Sequence, residues 1–220
     1  MIYLLDTADV KEIKRLIDLY PIDGVTTNPS IIAKARRPVG ECIKEIRRVI
    51  GRNRMLHVQT LGETAQEMVN EAMLLKEMVG GNFYIKIPVT PQGIKAIRMA
   101  KKLGINVTAT AVFTQQQGLI AARAGADFLA PYVNRLDNIS CHGIDVVADL
   151  VHLIDIYGLN TKILAASFKN VDQVHGVSMA GAHAATISPE LFDHLVYHPL
   201  TDQAVRDFEE DGHPYYNLGA

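Results

Sequence analysis

Residues 83–112 read FYIKIPVTPQGIKAIRMAKKLGINVTATAV, and the architecture follows from their order. Phe83 to Val89 is an apolar, β-branched and aromatic run, which predicts a buried strand. Pro91 to about Leu103 reads as an amphipathic helix, and Asn106 to Val112 as a second strand. A strand, a helix and a strand in sequence predict a parallel crossover unit. Lys86 stands in the middle of the first strand. Burial disfavours an ammonium and pulls its pKa down from about 10.4. A lysine kept there is a candidate amine nucleophile that forms a Schiff base with a carbonyl. The alternative is a strand-end lysine that snorkels to water.

The same unit recurs on either side of this stretch. Further strands are predicted at Ile2–Leu5, Gly24–Thr27, Met55–Thr60, Phe128–Val133, Lys162–Phe168 and Ala184–Ile187. Helices are predicted at Ala8–Leu19, from Asn28-Pro29-Ser30, and at Pro38–Ile50, Glu63–Val79, after Thr114, His142–Tyr157 and Val171–Ala180. Two short helices follow, Pro189–Val196 and Leu200–Glu210. About eight alternating units with no run of hairpins predict an α/β protein. The expected architecture is a single (β/α)8 TIM barrel over residues 1–220, with an extra C-terminal helix. The last stretch, about 211–220, reads as an irregular tail.

The composition bounds the function. Hydrophobic residues make up 48%, charged residues 21%, and the formal net charge is -2. That balance predicts no nucleic-acid footprint and no polybasic membrane patch. No uncharged apolar run approaches about 18 residues, so no transmembrane helix is expected. The N-terminal residues lack a basic region followed by a long apolar core, so no signal peptide is expected. Cys42 and Cys141 are far apart and form no C-x-x-C or zinc spacing, which predicts a reduced, cytoplasmic protein. None of the eight histidines forms a metal-binding pair, so no metal is expected. Gly80-Gly81 reads as a turn, and Met68, Met73 and Met78 as helix packing.

In such a barrel, chemistry lies at the C-terminal ends of the strands. Those ends carry Asp6, Thr26, Thr27, Asn28, Gln59, Lys86, Thr108, Thr110, Tyr132, Asn134, Arg135 and Ser167. Their convergence on one lysine favours catalysis. Tyr132 is the acid/base candidate, because a phenol both donates and accepts, although a lone tyrosine also packs. Gln59 and Thr110 hold a water but cannot act as bases. Asp6 and Asn28 suit substrate hydroxyls or the amine. Asp6 has a rival role as the first helix's cap, alongside Thr7 and Asp9. Arg135 and Ser167 suit a phosphate, with a salt bridge to Asp137 as the rival role of Arg135. His57 lies on the face of Gln59, one layer below it, where a hydrogen-bonded structural role competes with tuning the site.

These residues also carry a resemblance. Asp6-Thr7-Ala8-Asp9, Gly24 to Ser30, Ile85-Lys86-Ile87-Pro88-Val89-Thr90, Ala130 to Asp137 and Leu164 to Lys169 resemble the transaldolase family. The likeness is to its short microbial branch, the fructose-6-phosphate aldolases and transaldolase-like proteins, and it runs from Leu4 to about Phe208. It implies Lys86 as the Schiff-base lysine and a covalently bound dihydroxyacetone unit near Asp6 and Asn28. It implies a phosphate held by Arg135 and Ser167, no metal or organic cofactor, and a homo-oligomer, commonly a decamer with a C-terminal helix crossing to a neighbour. Transaldolases of the family typically carry glutamate and phenylalanine where Gln59 and Tyr132 stand, so the resemblance favours simple aldol cleavage. Where His57 stands, it would place an apolar residue.

The expected activity is class I aldol cleavage of fructose 6-phosphate to dihydroxyacetone and glyceraldehyde 3-phosphate. Transaldolase transfer through the same intermediate is the second expectation. A sugar-phosphate-binding barrel without turnover is the third. The expected partners are sugar phosphates and small aldehydes or ketones.

Overall fold

The computed structural model describes residues 1–216. Eight parallel strands close into a barrel in chain order. They are β1 (Ile2–Asp6), β2 (Gly24–Thr26), β3 (Met55–Gln59), β4 (Phe83–Pro88), β5 (Asn106–Val112), β6 (Phe128–Pro131), β7 (Lys162–Ala165) and β8 (Ala184–Ile187). β8 pairs with β1, which leaves no free edge.

Helices follow the strands. They are α1 (Val10–Leu19), α2 (Pro29–Ala35), α3 (Val39–Ile50), α4 (Ala65–Val79), α5 (Pro91–Lys102), α6 (Gln115–Arg123), α7 (Val133–Asp137), α8 (Gly143–Ile156), α9 (Val171–Met179), α10 (Pro189–His194) and α11 (Pro199–Gly212). Local chemistry starts them. Asp9 caps α1 through the amides of Lys11 and Glu12, so Asp6 is not the cap. Thr64 with Glu67 and Thr114 with Gln117 form capping boxes at α4 and α6. Such caps contribute about 1 kcal/mol each. Gly93 lets α5 press onto the end of β4, because a Cβ there would lie 1.8 Å from the Pro88 oxygen.

Strand alternation makes two apolar regions. Outward residues such as Leu5, Val25, Leu56, Ile85, Val107, Leu129, Ile163 and Ile187 pack against the helices. Leu4, Met55, Phe128, Leu164 and Ala184 fill the lower barrel interior. Above them the buried interior turns polar, with Thr26, His57, Lys86, Thr108 and Thr186. The chemistry therefore collects at the C-terminal end of the barrel.

Four expectations are corrected. β6 stops at Pro131 and β7 at Ala165, short of Val133 and Phe168. There Val133 and Asn134 turn to donate to the oxygens of Ala166 and Ser167. Val133 remains buried without being strand, so an apolar pattern could not separate the two states. Asp211 and Gly212 belong to α11 rather than to an irregular tail, and residues 217–220 lie outside the described residues. Met68 is buried, but Met73 and Met78 are exposed.

Candidate active site

Parallel register places Lys86 between Gln59 on β3 and Thr108 on β5. Lys86 is 5% exposed, and its Nζ donates a 2.9 Å hydrogen bond to the Thr27 main-chain oxygen. The amine does not snorkel out. Burial pushes its pKa below the usual lysine value, and the Asp6 carboxylate opposes part of that shift. The neutral amine needed for carbonyl addition is thereby favoured.

Asp6 Oδ1 accepts a 2.7 Å hydrogen bond from Thr26 Oγ1. The Thr26 and Thr186 hydroxyl oxygens are 2.6 Å apart. Thr26 has one proton and gives it to Asp6, so Thr186 donates to Thr26. This chain aims the carboxylate at the lysine's end of the barrel. Asn28 caps α2 by accepting from the Ile31 amide at 2.9 Å, which leaves its NH2 group for the cavity.

The Tyr132 hydroxyl lies 2.9 Å from Thr110 Oγ1. Two backbone devices bring them together. On β5, Thr110 and Ala111 oppose one residue of β6, a bulge marked by the register shift between Ala109 and Val112. Ala111 takes a φ of 56° there. Tyr132 pairs with Ala166 beyond the end of the regular strands. Ser167 turns the chain with a φ of 63°. A left-handed non-glycine residue costs roughly 1–3 kcal/mol, and both line the same cavity.

That cavity has a volume of about 330 Å³. Asp6, Asn28, Gln59, Lys86, Tyr132, Arg135 and Ser167 all line it. Thr110 reaches it through Tyr132, and Thr26 lies buried beneath Asp6. The Arg135 guanidinium sits 4.9 Å from the Tyr132 ring centroid, a cation–π contact. Its expected rival, a bridge to Asp137, is not formed. Asp137 instead accepts from the Gly143 amide and the Gln173 side chain. Of the residues lining this cavity, Arg135 is exposed, Ser167 and Asp6 are half-buried, and Lys86 is buried.

Sequence reasoning missed Thr186, Ala111 and Ala166, which also line the cavity. Thr186 had a usable signal, a polar residue inside β8 at an inward position. The Thr27 carbonyl had none, because main-chain oxygens are alike in every sequence. Among the described residues, no group of three or more His, Cys, Asp or Glu is placed to hold a metal ion.

The sequence model of the family described as Transaldolase/Fructose-6-phosphate aldolase matches residues 3–217. The chain belongs to this family. It is therefore an enzyme of the transaldolase/fructose-6-phosphate aldolase family, of aldolase type. A "Probable fructose-6-phosphate aldolase" of Streptococcus pneumoniae is 41% identical over 213 residues, covering 96% of this chain and 96% of the relative. A "Probable transaldolase 2" of Listeria monocytogenes is 42% identical over 211 residues, covering 96% and 95%. Both halves of the family's name thus occur among relatives at similar distance. The fold is also similar to a solved structure described as "Native KDPGal structure", with a TM-score of 0.59 and 18% identity over 90% of this chain and 84% of that one.

Proposed function

We propose that this enzyme is a class I aldolase that reversibly cleaves fructose 6-phosphate to dihydroxyacetone and glyceraldehyde 3-phosphate. The observation that carries the reading is the pairing of Tyr132 with Thr110 at 2.9 Å, in a cavity whose β3 residue is the non-ionisable Gln59. Lys86 adds to the C2 ketone, and the carbinolamine loses water to give an iminium. The C4 hydroxyl gives up its proton toward Tyr132, through a water held by Gln59 and Thr110. The C3–C4 electrons move to the iminium nitrogen, and glyceraldehyde 3-phosphate leaves. The remaining enamine is protonated at C3. Water then hydrolyses the iminium, which frees dihydroxyacetone and Lys86. Arg135 and Ser167 hold the phosphate, and Asp6 and Asn28 the donor hydroxyls. The scheme calls on no cofactor.

Transfer of the dihydroxyacetone unit to an aldose phosphate is the second reading, favoured by the relatives named transaldolase. The test is glyceraldehyde 3-phosphate release from fructose 6-phosphate, with and without erythrose 4-phosphate. Sustained release without the acceptor supports the aldolase reading. Release only with it supports transfer.

The proposed setting is the cytoplasm, in keeping with two unpaired cysteines. The proposed state is a homo-oligomer. In support, α11 buries none of its residues and exposes Leu200, Val205 and Phe208. An apolar groove of about 480 Å³ beside α2 and α4, with Leu74 and Met78 in its wall, offers a matching surface. Sedimentation of the full chain tests this, and a monomer at micromolar concentration would contradict it.

A further inference from the structure

His57 on β3 is buried in the barrel and takes no part in the scheme above. Its ring stacks on Tyr84, with centroids 4.5 Å apart and 8° between the planes, and Phe128 meets it edge-on at 5.5 Å. Nδ1 lies 2.8 Å from Thr108 Oγ1. Nε2 is buried and has no hydrogen-bond partner among the described residues. The His57–Thr108 contact joins β3 to β5 across β4, the strand that carries Lys86.

The unpartnered nitrogen favours one place for the ring proton. A neutral imidazole has one N–H and one lone pair. A buried N–H without an acceptor is rarer than a buried acceptor without a donor. These preferences favour the proton on Nδ1, donated to Thr108 Oγ1, with the lone pair on Nε2. Thr108 is then the acceptor, and its own hydroxyl proton is free to point elsewhere. Thr108 is in register with Lys86.

The titratable groups packed on this side of the barrel are Tyr84 and Lys86 on β4, and Asp6 on β1 through Thr26. Burial first, and Lys86 second, hold the imidazole well below the ordinary histidine pKa, so the ring is neutral.

We propose that His57, set in its Nδ1–H form against Thr108, is a positioning residue for Lys86. It braces β3 and β5 on either side of the lysine and leaves the Thr108 hydroxyl proton for the lysine's side of the barrel. The proposal rests on the reading of Lys86 as the nucleophile. It acts on bond formation at the amine rather than on capture of the ketone.

Two measurements test it. The first is the ¹⁵N spectrum of histidine-labelled full-length protein, with the His57 signal assigned by its loss in His57→Gln. A protonated Nδ1 and a bare Nε2, unchanged from about pH 6 to about pH 9, are expected. A proton on Nε2, or a ring that titrates in that range, overturns the proposal. The second is borohydride trapping of dihydroxyacetone on Lys86. Thr108→Val should slow trapping at saturating ketone by about tenfold or more, with the half-saturating concentration changed by less than about threefold. Thr108→Ser, which keeps the hydroxyl, should restore the rate. Trapping by Thr108→Val as fast as by wild type overturns the proposal. If wild type traps nothing, the reading of Lys86 itself fails, which is a different result. If Thr108→Val does not fold, the wild-type histidine spectrum decides.

Discussion

Lys86 Nζ is held 2.9 Å from the main-chain oxygen of Thr27, rather than on a carboxylate. Thr27 is anchored in turn, since its amide donates to the His57 oxygen at 2.9 Å. Among the described residues no ion pair joins Lys86 to Asp6. A carbonyl partner accepts one N–H of the amine and brings no full negative charge beside it. A carboxylate at ion-pair distance would have favoured the ammonium.

Lys86→Met should abolish covalent trapping and turnover while the barrel folds. It should also be more heat-stable than wild type near neutral pH. The unfolded lysine titrates near the usual 10.5, and the folded one below it. Between those values the unfolded chain binds more protons, so wild-type stability rises with pH across that window. The gain in Lys86→Met should therefore be largest at lower pH and shrink as pH approaches 10.5. Melting curves over that range check the sign, and a gain that grows with pH would contradict it.

Tyr132→Phe should cut fructose 6-phosphate cleavage by about 100-fold or more, the scale of a lost acid/base group. Thr110→Val removes only the partner of the phenol, so a smaller loss of about tenfold is expected. Initial rates of glyceraldehyde 3-phosphate release measure both. A Tyr132→Phe variant as fast as wild type would move the proton to another group.

Much of this arrangement was legible in the sequence. Asn106–Val112 and Ala184–Ile187 have the bounds that alternation predicts. Lys86 stood out because an apolar strand gives an ammonium no ordinary place. Less legible was whatever depends on main-chain geometry. The bulge at Thr110-Ala111 aims Thr110 at Tyr132, yet no turn residue in that run announces it. The end of β6 at Pro131 was hidden because Val133 stays buried after leaving the sheet. Taken alone, Arg135 reads first as a salt-bridge partner of Asp137, and the commitments of Asp137 to Gly143 and Gln173 overturn that reading.

Asp6→Asn should move the acidic limb of Lys86 trapping to lower pH. The Asp6 carboxylate raises the lysine's pKa against the lowering by burial. Removing its charge leaves burial less opposed, so the amine is neutral further down the pH scale. The midpoint of trapping rate against pH reports this. A midpoint that rises would mean that Asp6 acts in the opposite sense.

Arg135→Gln should raise KM for fructose 6-phosphate by about 10- to 100-fold, the scale of a lost charge-assisted hydrogen bond. Aldol addition of dihydroxyacetone to an unphosphorylated aldehyde should change by less than about threefold, because no phosphate is present to lose. Equal losses with both aldehydes would place Arg135 in general support of Tyr132, whose ring it covers at 4.9 Å.

The proposed mechanism turns on Lys86 forming the covalent bond to the ketone. The most direct measurement is borohydride reduction of the full-length protein with dihydroxyacetone, followed by peptide mass mapping. A single stable adduct on Lys86 is predicted, absent when borohydride is omitted. No adduct, or one carried by a different lysine, would contradict the claim.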